Sequence, residues 1–274
     1  SAGRVVYAAR QGVFVHDLQT GEDRMVASLP DDVELAIPSP DGRWVGYATG
    51  AGTVSVASLV EDRSFEVAAR FSIPVGWTPD NRLVVGELVG DRDLVAVKPD
   101  GGREVLLTGG YANGAYPVWI DDDTFAIAAS EESFVIAEGG KVVTRDEGVP
   151  LAVSPDGAQL LVVRDDTLVT LDMENDLEPL DELYDGKVSY AVANAQGLLA
   201  IATEKDVRVF EAGTRTRTVV KRPVDHIAWG HAGTVLLYAH DGAGYAIEVP
   251  DGKPKRITRI DADLFGLLSF QVVS

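Results

Sequence analysis

The chain has 274 residues, of which 46% are hydrophobic and 24% are charged, a balance typical of a globular protein with a large core. Its 43 acidic residues outnumber its 24 basic ones and give a net charge of −19, so the surface repels nucleic-acid phosphates and anionic lipid. The absence of cysteine excludes disulfides, thiolate metal sites and cysteine nucleophiles. No apolar run approaches the roughly 20 residues of a membrane-spanning helix. We therefore expect neither a nucleic-acid partner nor membrane insertion.

A four-residue motif recurs along the chain. The sequence Ser-Pro-Asp-Gly occurs at residues 39–42 and 154–157, and an altered copy, Thr-Pro-Asp-Asn, occurs at residues 78–81. Weaker copies surround Asp122, Gln196 and Ala232, and the copies are spaced about 38 residues apart, close to the blade length of propeller repeats. In this motif proline presets the first turn angle, aspartate caps the turn and glycine supplies a positive φ. The motif is therefore a hairpin joint, with positive φ expected at Gly42 and Gly157.

Short apolar strands precede and follow each joint, and two further alternating strands follow in most repeats. We label the four strands of a repeat a, b, c and d from the propeller axis outward. The chain begins on a strand b at residues 4–9. Strands a are predicted at residues 33–38, 74–78, 115–120, 149–154, 188–193, 224–229 and 264–272. The last strand a has no strand b after it, so it should join the strands at the amino end.

The repeat thus predicts an all-β fold, a seven-bladed β-propeller with four-stranded blades. Pairing of the carboxyl-terminal strand with the amino-terminal strands closes the ring and removes the exposed sheet edges. No segment has sustained 3.6-residue periodicity, and no linker interrupts the repeat, so residues 1–274 are expected to form one domain. The tryptophans fall on strands a and b, where we expect them to pack between blades: Trp44, Trp77, Trp119 and Trp229.

The Ser-Pro-Asp-Gly motif, followed by an apolar strand that ends in an aromatic residue, resembles the repeat of the TolB-type propellers. The match is firm at residues 39–47 and 154–163, partial at residues 78–85 and weak elsewhere, although its spacing covers the whole chain. TolB itself has six blades and an extra amino-terminal domain, which this sequence lacks. The resemblance implies the propeller architecture and a periplasmic, cell-surface or secreted location. It carries over no partner and no site residue.

The sequence motifs of several enzyme classes are absent. There is no G-x-S-x-G nucleophile elbow and no H-E-x-x-H metal motif. The paired glycines at residues 50–52 and 242–244 lack the third glycine and the helix of a dinucleotide site, and they are better explained as tight b-to-c turns. Residues 261–266 begin like a calcium loop, but Val272 stands where the closing carboxylate should be. These absences favour a protein that binds rather than catalyses.

One end of the propeller channel is predicted to be acidic. In a propeller the d-to-a and b-to-c connections lie on one face, around the channel mouth, and the a-to-b turns lie on the other. The predicted ligand-binding residues at this mouth are Asp31, Asp146, Asp185, Asp225, His226, His240 and Asp263. Converging carboxylates attract a cation or a basic partner, whereas the same residues could be a solvated rim of a salt-adapted protein. Four tyrosines near the mouth could stack on a sugar or a proline-containing peptide: Tyr111, Tyr116, Tyr184 and Tyr190.

These observations predict a non-catalytic, monomeric binding or sensing propeller that presents an acidic channel mouth to a protein, a peptide or a cation. We expect no resident cofactor other than a divalent cation in the channel. One alternative is a metal-dependent hydrolase or lactonase whose ligands include His226, His240 and nearby aspartates. Another is a purely structural spacer. The binding propeller itself either stands alone or belongs to a larger receptor. A bound metal with an open coordination position would favour the enzyme.

Overall fold

The computed structural model is a seven-bladed β-propeller, as the repeat predicts. It describes residues 4–9, 12–17, 19–30, 32–68, 71–98, 101–154, 156–194, 197–211, 215–229, 235–249, 252–257 and 270–273. All regular elements in these ranges are strands, arranged as seven four-stranded antiparallel sheets. No helix in the described ranges is long and apolar enough to cross a membrane.

The strands of the first four blades have the following bounds, given as strands a to d. Blade 1 contains β28 (Phe270–Val273), β1 (Arg4–Ala9), β2 (Gly12–Asp17) and β3 (Asp23–Ala27). Blade 2 contains β4 (Val33–Pro38), β5 (Trp44–Thr49), β6 (Val54–Ser58) and β7 (Ser64–Ala68). Blade 3 contains β8 (Ser72–Trp77), β9 (Leu83–Glu87), β10 (Asp93–Val97) and β11 (Arg103–Thr108). Blade 4 contains β12 (Val118–Trp119), β13 (Thr124–Ala128), β14 (Ser133–Glu138) and β15 (Lys141–Glu147).

The remaining three blades follow the same order. Blade 5 contains β16 (Val149–Val153), β17 (Gln159–Arg164), β18 (Thr167–Asp172) and β19 (Glu178–Asp185). Blade 6 contains β20 (Val188–Ala193), β21 (Leu199–Thr203), β22 (Val207–Glu211) and β23 (Arg215–Val220). Blade 7 contains β24 (His226–Trp229), β25 (Val235–His240), β26 (Ala243–Glu248) and β27 (Lys255–Arg256).

The ring closes through the two ends of the chain. β28 pairs antiparallel with β1, with Arg4 opposite Val273 and Tyr7 opposite Phe270. Blade 1 therefore takes strand a from the carboxyl end and strands b, c and d from the amino end, which confirms the predicted closure. Closure gives every inner strand a neighbouring blade on each side.

The recurring turn has the geometry that its sequence predicts. Gly42 and Gly157 have φ values of 65° and 74°. In the first copy the Ser39 hydroxyl donates to the Asp41 carboxylate at 2.6 Å, while it accepts a hydrogen bond from the backbone N–H of Trp44 at 3.0 Å. The second copy repeats these bonds around Ser154. The serine of the motif thus holds the turn to the first residues of strand b, a role beyond that of the proline, aspartate and glycine.

Two tryptophans bind adjacent blades together through the same hydrogen bond. The indole N–H of Trp77 on β8 donates to the carbonyl of Ile37 on β4 at 2.9 Å, and Trp229 on β24 donates to Val192 on β20 at 2.9 Å. In both cases the acceptor lies on strand a of the preceding blade. The described apolar side chains form clusters that bridge neighbouring sheets, for example Val6 with Val45 between blades 1 and 2. The core therefore lies between the blades.

Two inner strands begin later than the sequence predicts. In blade 4 strand a is only Val118–Trp119, because Gly114 adopts φ of 72° and Pro117 has no N–H to pair. In blade 7 the strand starts at His226, after Pro223. The segments before these strands keep single bonds to strand b, from the Ala112 N–H to the Ala128 carbonyl and from the Asp225 N–H to the Ala239 carbonyl, both at 2.8 Å.

We expect Gly157→Ala to lower the free energy of unfolding by about 1 kcal/mol, because the left-handed backbone conformation is unfavourable for alanine. No atom lies within 4 Å of the position that its Cβ would take, so the cost is that of the backbone alone. Urea titration measures it. Gly50→Ala is the matched control: Gly50 is not among the positive-φ glycines, and its added Cβ meets only the flexible end of Glu34 at 3.3 Å. Equal stability of the Gly157→Ala variant and the parent chain would contradict the turn assignment.

Candidate ligand site in the axial channel

A cavity of about 460 Å³ lies on the propeller axis, enclosed by strands a of blades 2 to 7 and the connections that lead into them. Five residues that occupy the same repeat position, four places before the first residue of the turn, line it: Leu35, Tyr116, Pro150, Tyr190 and His226. The layer below contains Ile37, Gly76, Val118 and Val192. Because five blades contribute the same register of their inner strands, one sequence position becomes one ring of side chains.

The wall of this cavity is apolar apart from one group of side chains. Among the described residues that line it, none is lysine, arginine, aspartate or glutamate, and the polar side chains are those of Ser189, Tyr116, Tyr190 and His226. All four lie before a strand a or within its first three residues, which is the d-to-a end of the channel. The cavity therefore has an apolar body and hydrogen-bonding groups at one end, an arrangement common in ligand pockets.

Tyr190 stands at the centre of these polar groups. Its ring meets the imidazole of His226 edge to face, with centroids 5.3 Å apart and planes at 82°. Burial raises the pKa of the Tyr190 phenol, and the nearby Tyr116 and the carboxylate of Asp225 raise it further. Partial burial also raises the pKa of Tyr116, although 47% of this residue is still exposed to solvent. Both phenols are therefore neutral at physiological pH, with Asp225 as the negative charge beside them.

Burial lowers the pKa of His226 to about 4. Its imidazole is therefore neutral at pH 7. The Asp225 carboxylate next to it in sequence is exposed to solvent. Burial of the imidazole is what lowers the pKa of His226. The aromatic end of the cavity thus offers neutral donors and acceptors rather than a positive charge.

This burial makes stability depend on pH. The folded pKa of about 4 lies below the ordinary value of 6.5, so the unfolded chain binds a proton first as pH falls. The stability contribution is complete above about pH 6.5 and is lost progressively toward pH 4. We expect urea midpoints to fall over this range in the parent chain and to fall less in His226→Gln. Ser189→Ala is the control, since it changes a non-titrating side chain of the same cavity, and it should keep the parent's pH dependence. Parallel profiles for the parent and His226→Gln would contradict the assignment.

The structure places the other predicted mouth residues in different settings. Asp225 is exposed beside the cavity, with its backbone N–H bonded to the carbonyl of Ala239 at 2.8 Å. His240 pairs with Asp241 at 3.2 Å in the b-to-c turn of the same blade. Asp146 is neutralised by Arg164, with 2.7 Å between its Oδ2 and the guanidinium Nη2. Asp185 is exposed at the end of β19.

Asp31 and Asp263 lie outside the described residues. Among the described residues, no three histidine, aspartate or glutamate side chains come close enough together to hold a metal ion. Of the predicted set, the structure brings Asp225 and His226 together at the cavity, and the binding role of the set stays a prediction.

Two of the four mouth tyrosines are structural. Tyr111 is 4% exposed, and its hydroxyl donates to the carbonyl of Asp93 at 3.1 Å. Tyr184 is covered by the guanidinium of Arg208, 4.8 Å from the ring centroid. Tyr116 and Tyr190 remain as the aromatic groups of the cavity. The sequence analysis did not predict Leu35 and Pro150 as cavity residues. Their position, four residues before each turn, could have identified them.

The fold and the cavity define a seven-bladed propeller with an axial cavity. The chain is similar in structure to a protein of unknown function from Desulfotomaculum acetoxidans, with a TM-score of 0.70 and 14% identity over 100% of this chain and 99% of that one. It is also similar to a protein from Bacteroides uniformis that is provisionally assigned as a 6-phosphogluconolactonase, with a TM-score of 0.66 and 13% identity over 98% of this chain and 100% of that one. No protein-family model and no curated protein sequence matches the chain. At these identities the likeness shows the fold alone.

Proposed function

We propose that this chain is a non-catalytic binding or sensing propeller that takes the tip of a cationic partner into the d-to-a end of its axial cavity. The observation that carries the proposal is the apolar cavity of about 460 Å³ with Tyr116, Tyr190 and His226 at one end. This volume is within the range of small-ligand pockets, about 300–1,000 Å³. It also suits one side chain of a peptide or protein partner.

The protonation states of the site favour binding over catalysis. A general acid or base works best with a pKa near the operating pH. His226, with a pKa of about 4, is a weak base at neutral pH, and the two phenols have raised pKa values and keep their protons. These groups therefore serve as hydrogen-bonding and stacking partners.

The charge distribution favours a positively charged ligand. Aromatic faces attract ammonium and guanidinium groups, and the Tyr116 and Tyr190 rings lie in the pocket beside the carboxylate of Asp225. The net charge of −19 draws such a ligand toward the protein. A phosphorylated sugar lactone is anionic, and no described lining residue is cationic to receive it. A peptide or protein with an exposed lysine, arginine or amino terminus fits this site better.

We also propose a family relation and a cellular location for the chain. The Ser-Pro-Asp-Gly turns support a relation to the TolB-type propellers, and that resemblance supports a periplasmic, cell-surface or secreted monomer. A divalent cation at the mouth is an alternative to the cationic side chain. Metal analysis of the purified protein separates these two ligands.

Isothermal titration with three probes that share a phenylethyl group tests the proposed ligand class. We expect phenethylammonium to bind more tightly than 2-phenylethanol, and 3-phenylpropionate to bind least, because only the ammonium gains the attraction of Asp225 and the tyrosine faces. Asp225→Asn should weaken phenethylammonium binding roughly tenfold, a difference of about 1.4 kcal/mol, and added salt should weaken it as well.

Asp122→Asn is the matched control. It removes the same charge from an exposed a-to-b turn on the opposite face, and we expect it to leave binding unchanged. Equal affinity for the three probes, or equal losses in the two variants, would show that Asp225 has no special role. Failure of all three probes to bind would favour the structural spacer.

A further inference from the structure

Three apolar side chains stand together in solvent on the d-to-a face of blades 2 and 3. Phe71 is 60% exposed, Val89 is 54% exposed and Leu88 is 39% exposed. Phe71 lies in the connection from β7 to β8, and Leu88 and Val89 lie in the loop from β9 to β10. The backbone N–H of Leu88 donates to the carbonyl of Phe71 at 2.8 Å, which fastens the two segments together. We call these three residues the rim strip.

The backbone of Phe71 adopts an unusual conformation for an exposed aromatic residue. Its φ is 66°, in the left-handed region that glycine occupies readily and bulky residues rarely do. The turn of blade 2 packs against it, since a Cβ on Gly52 would lie 3.1 Å from the Phe71 nitrogen. The Ser72 N–H also donates to the Gly52 carbonyl at 3.3 Å. The fold thus holds a strained backbone whose side chain contributes little to the core, a combination that points to a binding role.

Carboxylates flank the rim strip on both sides. On the blade 2 side the Asp32 carbonyl accepts from the Gly50 N–H at 2.9 Å, and the Glu34 carboxylate lies close to the same glycine. On the blade 3 side Asp91 follows Val89 in the same loop, and the guanidinium of the next residue, Arg92, is held by the Tyr111 carbonyl at 2.9 Å and the Asn113 side-chain oxygen at 2.6 Å. Within the described ranges none of these three carboxylates forms an ion pair with a lysine or arginine. An apolar strip between uncompensated acids is complementary to an apolar segment between bases.

We propose that the rim strip docks a partner protein through a segment in which apolar side chains are flanked by lysine or arginine. None of the three residues lines the axial cavity, so this surface is separate from the proposed pocket. Self-association through the strip would bring two acidic faces together, and an anionic membrane would be repelled for the same reason. Exposed apolar residues with a charged border are typical of protein interaction sites.

Phe71→Gly tests the proposal because it separates binding from stability. Glycine relieves the left-handed backbone, so we expect the variant to be at least as stable as the parent in urea. Fluorescence anisotropy with a labelled KRLFKR peptide, measured with excess phenethylammonium to occupy the axial pocket, should show binding to the parent and at least a tenfold loss in Phe71→Gly. The EELFEE and KRSSKR peptides should not bind, since each lacks one of the two complementary features.

Val143→Ser is the matched control, since Val143 is 53% exposed on β15 of blade 4, and it should bind KRLFKR as the parent does. The proposal is overturned if Phe71→Gly lowers stability, if it binds KRLFKR as tightly as the parent, if the parent does not bind KRLFKR, or if light scattering shows a dimer that Phe71→Gly dissociates.

Discussion

A chain that ends at residue 269 is expected to lose several kcal/mol of stability, a large share of the roughly 5–15 kcal/mol of a typical domain. β28 is strand a of blade 1, and without it β1 loses its inner partner from Arg4 to Tyr7. The exposed edge would leave backbone N–H and C=O groups unpaired and open the ring between blades 7 and 1. Thermal unfolding with size-exclusion chromatography measures both the lost stability and any edge-to-edge association.

Strand complementation provides the control for this truncation. A synthetic peptide of residues 264–274, added in trans, should restore part of the melting temperature, whereas a scrambled peptide should not. A truncated chain that stays monomeric and melts at the parent temperature would show that closure contributes nothing to stability.

Gly148→Ala is also expected to have a large effect and to lower the free energy of unfolding by about 3 kcal/mol. Gly148 connects β15 of blade 4 to β16 of blade 5 with φ of 103°, and its N–H donates to the Glu132 carbonyl at 2.7 Å. An added Cβ would collide with the side chain of Val162 and lie only 2.6 Å from the Val163 carbonyl oxygen. Since backbone and a buried strand are involved, a rotamer change cannot relieve the contact.

Gly157→Ala is the internal reference for this prediction. No atom lies within 4 Å of its added Cβ, so only the positive φ destabilises this variant. The difference in the free energy of unfolding between the two variants therefore measures the collision at Gly148. Urea titration of both variants at one pH measures that difference. If Gly148→Ala costs no more than Gly157→Ala, the connection between blades 4 and 5 is looser than the structure indicates.

The architecture was predictable because it depends on local chemistry repeated at a fixed spacing. The turn at residues 39–42 is determined by its own serine, proline, aspartate and glycine, and the bounds of β4 and β20 agree with those predicted from alternation alone. A strand a without a following strand b likewise implied the closure. Where prediction missed, as at β12, a nearby Gly114 and Pro117 had overridden the apolar pattern.

The residues of the candidate sites were less predictable, because their neighbours come from distant parts of the chain. Asp146 and Asp225 occupy similar positions in the sequence repeat. The register of β17 places Arg164 in an ion pair with Asp146, whereas Asp225 is exposed beside Tyr190.

By itself, the sequence determined the seven blades, their turns and the net negative charge of this protein, since each follows from spacing, turn chemistry or composition. Only the tertiary structure decided that Leu35, Tyr116, Tyr190 and His226 form one ring, and that Phe71 stands strained beside Leu88. The physical reason is that ring closure and interblade packing set these distances, burials and backbone angles, and they arise between segments that a local pattern cannot connect.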